Sequence, residues 1–320
     1  MWKITLLALL RLSNFIRAQT ENTPTIDLGY AKYRGAFNET TNVTSFLGIR
    51  YVAAPVGNLC WRAPTPPPNV TDIADTESSQ CYQALYDINS TNPSPAAESQ
   101  NLTTCKPSGT SEDCLFLNVF YPGDSAPAET LPVIVWIHGG GYDKFQLVHG
   151  DLISQSKGGV IVVTIQYRLG VFGFLAGSEV HSNGSLNAGL CMLFELFYDP
   201  DVVRKVDQNF ALRWVNKHIS KFGGDPEQVT IWGESAGAGS VLQHVVAEDG
   251  QTSPQLFRGI IANSAFLPSQ YAYNDTFPQA IYNQVVDAVN CKSSQDTLTC
   301  LREVDSSALE SANVEIIAAQ

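Results

Sequence analysis

A serine with glycine two residues to either side, Gly233-Glu234-Ser235-Ala236-Gly237, follows the apolar run Val229-Thr230-Ile231-Trp232 and opens a segment, Ala236 to His244, in which small residues give way to a helical pattern. An isolated Gly-x-Ser-x-Gly reads equally well as a flexible loop. Here the run before it is a buried strand and the segment after it a helix, so Ser235 is placed on a sharp strand-to-helix turn, a nucleophile elbow. Glycine is needed on both sides because strand and helix approach too closely for a Cβ, and the turn forces the serine into a strained backbone conformation.

The rest of the chain has the rhythm such a turn requires. Leu115 to Phe120, Pro132 to Ile137 and Val160 to Tyr167 are continuous β-branched or aromatic runs bounded by Gly or Pro, as strands buried on both faces must be. Asp207 to Phe222 carries Phe210, Trp214, Val215 and Ile219 at helical spacing and stops at Gly223-Gly224. Residues 26 to 52 alternate in short pieces that read as edge hairpins, and a Pro-rich connector, Pro55 to Pro68, follows. Strands alternating with helices predict a mixed or parallel α/β sheet, with the ligand outside the carboxyl ends of the strands.

A serine hydroxyl is a weak nucleophile at neutral pH and needs donors for the developing oxyanion and a base for its proton. A donor loop is visible where the strand Trp136-Ile137 ends in His138-Gly139-Gly140-Gly141-Tyr142, whose unhindered amides can point into a cavity.

Composition sets the wider bounds. With 44% hydrophobic and 16% charged residues, the 320-residue chain can bury a large core. Its formal charge of −12 and lack of a basic cluster speak against a nucleic-acid surface or an anionic membrane. Met1-Trp2-Lys3 followed by Ile4 to Leu10, interrupted by Arg11, reads as a secretory signal over residues 1–18 cut after Ala18, with Ile16 an imperfect site and an uncleaved anchor the alternative. Asn38, Asn42, Asn69, Asn89, Asn101, Asn183 and Asn274 are glycosylation acceptors, five of them before residue 102, which suggests a glycosylated face. Seven cysteines in an exported chain imply disulfides and one leftover thiol. No Cys-x-x-Cys pair or histidine cluster suggests zinc, and neither metal nor cofactor is expected.

These motifs resemble the type-B carboxylesterase family, the cholinesterase and fungal lipase group of α/β-hydrolases. The resemblance rests on Ser111 to Val119, His138 to Tyr142, Tyr167-Arg168-Leu169-Gly170, and Phe222 to Pro226 leading into Gly233 to Gly237, and covers about residues 25–290. It implies an α/β-hydrolase fold over 25–320: a central, mostly parallel sheet with helices on both faces, its C-terminal part missing. It implies Ser235 as the residue acylated by a small-molecule or lipid ester, with the amides of Gly140, Gly141 and Ala236 as the oxyanion hole. Glu234 would line the site electrostatically or hold a structural hydrogen bond. Cys81 is similar to the family's partner for Cys114, and Cys291 and Cys300 resemble its later short bridge. Cys60 stands where the family more often has arginine, which leaves Cys105 as its expected partner.

Two departures stand out. The family's order is Ser, then acid, then His, yet of His138, His149, His181, His218 and His244 only the last follows Ser235. At nine residues along one helix it lies roughly 13 Å up the axis, out of reach, so it reads as a surface or packing histidine. The chain is therefore expected to be an N-terminal portion of a catalytic domain. Secondly, joining Asn187-Ala188-Gly189-Leu190 to Val206-Asp207-Gln208 restores the family's spacing, so Cys191 to Lys205 reads as a fifteen-residue insertion, translated intron sequence or a genuine surface loop. Three readings remain open: a secreted serine ester hydrolase, a non-catalytic cholinesterase-like binding ectodomain, and an inactive truncated product. Oligomeric state is not legible.

Overall fold

The apolar runs form one sheet. The computed structural model describes residues 23–74, 78–84, 109–143, 151–189 and 206–318. Strands β1 (Thr25–Asp27) and β2 (Lys32–Arg34) make one small hairpin, and β3 (Ala36–Asn38) and β4 (Val43–Arg50) a second. A two-residue pair, β5 (Gln80–Cys81) and β6 (Thr110–Ser111), precedes β7 (Phe116–Pro122), β8 (Leu131–Ile137) and β9 (Ile161–Ile165). The elbow strand is β10 (Gly224–Glu234), and β11 (Gly259–Asn263) follows it.

The seven-stranded sheet has the order β11-β10-β8-β9-β7-β4-β3. Its first four strands are mutually parallel. β7 is antiparallel to β9 and to β4, which turns β4 back to the common direction, so five of the seven strands point the same way. All the parallel carboxyl ends thus open on one edge, where a ligand is expected.

Eight α-helices are described: α1 (Asp151–Gln155), α2 (Gly170–Phe174), α3 (Ser178–Asn183), α4 (Asp207–His218), α5 (Ala236–Val246), α6 (Thr276–Ala288), α7 (Thr297–Glu303) and α8 (Ser306–Ala318). The expected helix from Asp207 is α4, continued by a 3-10 turn through Phe222 and ended by Gly223 at φ 81°. Ala211, Leu212, Trp214 and Val215 of α4 and Ala236 and Val241 of α5 join the sheet's Val133, Val135, Ile161, Val163, Val229 and Ile231 in the main core. A second cluster gathers α6, α7 and α8 around Tyr282, Val285, Leu298, Leu301 and Leu309, with Trp61 and Cys291 inside it.

The bridges Cys81–Cys114 and Cys291–Cys300 are present. The expected Cys60–Cys105 pairing is corrected at Cys60, which is a free, buried thiol. The S–H is satisfied without a disulfide: Sγ donates to Glu112 Oε1 at 3.1 Å, and burial, then the Glu112 charge, push its pKa up to about 12. Cys105 lies outside the described residues, as do the expected signal segment 1–18, Asn89, Asn101, His149 and Cys191 to Lys205. The glycosylation acceptors that are described, Asn38, Asn42, Asn69, Asn183 and Asn274, are all exposed. Among the described residues no helix is long and apolar enough to cross a membrane.

Candidate active site

The elbow is built by register. Gly233 stands opposite Ile137 of β8 on one side and Ala262 of β11 on the other, so Ser235, one residue past the end of β10, emerges at the sheet edge beside His138 to Tyr142. Ser235 is half-buried and has φ 55° and ψ −121°, a conformation that costs on the order of 1–3 kcal/mol and persists only where neighbours over-determine it. Those neighbours are the ends of β11 and α5. The Ser235 amide donates to the Asn263 carbonyl at 2.9 Å, while its own carbonyl accepts from Phe266 N–H at 2.9 Å and Gly239 N–H at 3.0 Å.

The flanking glycines are steric necessities. A Cβ on Gly233 would lie 2.3 Å from the Gly237 carbonyl carbon, and one on Gly237 would lie 2.1 Å from the Ile137 carbonyl oxygen. Both obstacles are backbone and cannot swing aside.

The glycine-rich loop leaves β8 beside this turn. Gly140 (φ 107°), Gly141 (φ 70°) and Tyr142 (φ 72°) all sit at positive φ, which folds the loop back on itself, and Asp143 N–H donates to the Gly140 carbonyl at 3.2 Å. Its base is pinned: the Tyr167 hydroxyl donates to the His138 carbonyl at 2.7 Å, and the two rings stack at 4.3 Å. Its far side is pinned by Gly170 N–H donating to the Tyr142 carbonyl at 2.9 Å. The Tyr142 ring packs against Phe174 and Phe266, and burial pushes its hydroxyl pKa up to about 12. Gly140 is half-buried, Gly141 exposed and Ala236 buried at the first position of α5. Glu234 is the half-buried last residue of β10.

The histidines go elsewhere. His218 ends α4 against Tyr30 and Trp214, and burial, then Lys217 and Lys221, bring its pKa down to about 4. His244 is a packing residue: it is 3% exposed, its Nε2 pairs with Gln208 Oε1 at 3.1 Å, and burial lowers its pKa to about 4. His181 stacks on Tyr273 on the surface. His138 turns its Nδ1 to the Gly139 carbonyl at 2.9 Å.

Two structural supports escape a reading of the sequence alone. Asn263 and Phe266 grip Ser235 through main-chain atoms, which leave no mark on residue type; only the Ile260-Ile261 pair hinted at a strand there. The second is the ion pair of Arg168 with Asp207, bidentate at 2.7 and 2.8 Å, 4% and 0% exposed, with a further bond from the Arg168 amide at 3.0 Å. It fixes the start of α4 to the segment leading into α2.

The chain belongs to the carboxylesterase family, whose model matches residues 22–320. It is 35% identical over 287 residues to "Secreted lipase 1" of Botryotinia fuckeliana, covering 84% of this chain and 47% of that protein. To "Pyrethroid hydrolase Ces2e" of Rattus norvegicus it is 33% identical, covering 90% and 48%. Among solved structures, Aspergillus niger EstA superposes with a TM-score of 0.75 at 37% identity, covering 91% of this chain and 50% of that one. The fold is that of the α/β-hydrolase esterases, and the chain spans about half the length of the curated relatives it matches.

Proposed function

We propose that this polypeptide carries the nucleophile half of a secreted carboxylic ester hydrolase. Ser235 Oγ attacks the ester carbonyl, the oxyanion is received by the amides of Gly140, Gly141 and Ala236, the alcohol departs, and water hydrolyses the acyl-serine. One observation carries the reading: Ser235 is held at φ 55° directly beside a loop in which Gly140, Gly141 and Tyr142 are also at positive φ. Strain at Ser235 and Tyr142, both non-glycine residues, is expensive to keep unless the arrangement is used. Preorganised donors of this kind are worth about 10² to 10³ each in rate. Export is supported by the names of relatives such as the Botryotinia secreted lipase and by the exposed glycosylation acceptors.

The triad acid and histidine are proposed to come from sequence C-terminal to Ser235, in the family's order. A fluorophosphonate probe and p-nitrophenyl acetate and butyrate, applied to residues 1–320 and to a form extended to the relatives' length, test this. Labelling and hydrolysis are expected in the extended form and abolished by Ser235→Ala. Robust turnover by residues 1–320 alone would refute the missing base, and an unreactive extended form would favour the binding-ectodomain reading.

A further inference from the structure

Behind the elbow lies a buried polar chain that the chemistry above does not use. The Ser240 hydroxyl donates to the Ala236 carbonyl at 3.1 Å, Gln208 Nε2 donates to Ser240 Oγ at 3.1 Å, and Gln208 Oε1 faces His244 Nε2 at 3.1 Å. Ser240 and Gln208 are 0% exposed and His244 is 3% exposed. We propose that His244, Gln208 and Ser240 form a directed hydrogen-bond relay that positions the first turn of α5, and with it the Ala236 amide, against the oxyanion loop.

The direction follows from proton counting. Ser240 has one proton, given to Ala236, so toward Gln208 it can only accept. That turns the Gln208 amide nitrogen to Ser240 and its oxygen to His244, and an oxygen requires a donor. His244 is therefore the Nε2–H tautomer, kept neutral by its burial. A serine bonding back to the carbonyl four residues earlier is ordinary in a helix. What sets this one apart is its second bond, to a side chain on α4. Gln208 follows Asp207, whose buried carboxylate is paired with Arg168, so the start of α5 is tied to that ion pair as well as to its own helix.

Position matters here because the Tyr142 hydroxyl reaches the same turn: a Cβ on Gly239 would lie 2.7 Å from it. Turn and loop therefore share one contact surface, and a small rotation of α5 changes the distance between the two sets of proposed oxyanion donors. Gln208, Ser240 and His244 are positioning residues, a role that rests on Ser235 being the nucleophile. The hydrogen-bond relay itself does not.

NMR on the 320-residue chain tests it. Histidine-labelled protein is expected to show His244 protonated at Nε2 near neutral pH. Gln208→Met and Ser240→Ala should shift the amide resonances of Ala236 and Gly237, and Ser240→Thr, which keeps the hydroxyl, should return them to the wild-type positions. A wild-type Nδ1–H tautomer overturns the proposal, and so do unmoved Ala236 and Gly237 resonances in both substitutions. The tautomer is read in the unmodified protein, so the test survives a variant that fails to fold. A confirmed relay in a protein whose extended form takes up no fluorophosphonate would refute the nucleophile and leave the relay standing.

Discussion

The amide of Asp207 donates to the carbonyl of Ala188 at 2.9 Å, although eighteen residues lie between them in the sequence. Remove Cys191 to Lys205 and only Gly189, Leu190 and Val206 remain between the bonded groups, which is the three-residue span of an α-turn. The fold thus brings the flanks of residues 191–205 together at a bond that a chain without them could make unaided.

Deleting residues 191–205 is therefore expected to leave a cooperatively folding protein whose melting temperature is equal to or above that of the parent, since loop closure becomes cheaper. Circular dichroism melts decide it, and loss of cooperativity would show the segment to be part of the fold. Sequencing of the transcript is expected to show codon 190 joined to codon 206 in mature message; retained coding sequence between them contradicts the intron reading.

Asp207→Ala should be among the most damaging substitutions outside the elbow. It leaves the Arg168 guanidinium, 4% exposed, without its carboxylate, at a cost of about 3–5 kcal/mol. Denaturant titration would register this as a lower midpoint, and a midpoint unchanged within error would mean the pair is not fixing α4.

Stability should fall with acid in a defined window. The His244 pKa drops from 6.5 free to about 4 folded, so the neutral ring contributes fully above pH 6.5 and the contribution is lost as pH falls through 4. His218 acts in the same direction. Glu310 is the opposite case: burial raises its carboxyl to about 7 from 4.5, so its contribution is complete below pH 4.5 and fades as pH rises through 7. Melts from pH 4 to 8 should show Glu310→Gln stabilising the protein selectively at pH 8 and His244→Gln flattening the acid limb. Parallel pH profiles for all three proteins would contradict both assignments.

Gly237→Ala tests the packing of the elbow. The added methyl meets the Ile137 carbonyl oxygen at 2.1 Å, so strand and helix must part, and overpacking of this kind costs roughly 1–3 kcal/mol or more. The expected result is a lowered melting temperature together with loss of fluorophosphonate labelling in the extended form.

Much of this architecture was written locally. The runs Phe116 to Pro122, Leu131 to Ile137 and Ile161 to Ile165 could be read because strands buried on both faces must be continuously apolar, and Ser235 because the steric demands of its turn select glycine at fixed offsets. What stayed hidden depends on partners distant in the chain. Elimination gives Cys60 a disulfide, since nothing near it in sequence shows Glu112 as an acceptor. Helix geometry reads His244 as a surface or packing histidine, and it is buried, yet its bond to Gln208 joins two helices that only the folded sheet brings together. The main-chain grip of Asn263 and Phe266 on Ser235 is invisible to any reading of side chains.

The central claim is that Ser235 is the atom-bearing nucleophile of the site. Peptide mapping by mass spectrometry after fluorophosphonate treatment of the extended form measures it directly: the account predicts one adduct, on the peptide containing Gly233 to Gly237, absent from Ser235→Ala. An adduct on any other residue, or one that persists in Ser235→Ala, would contradict it.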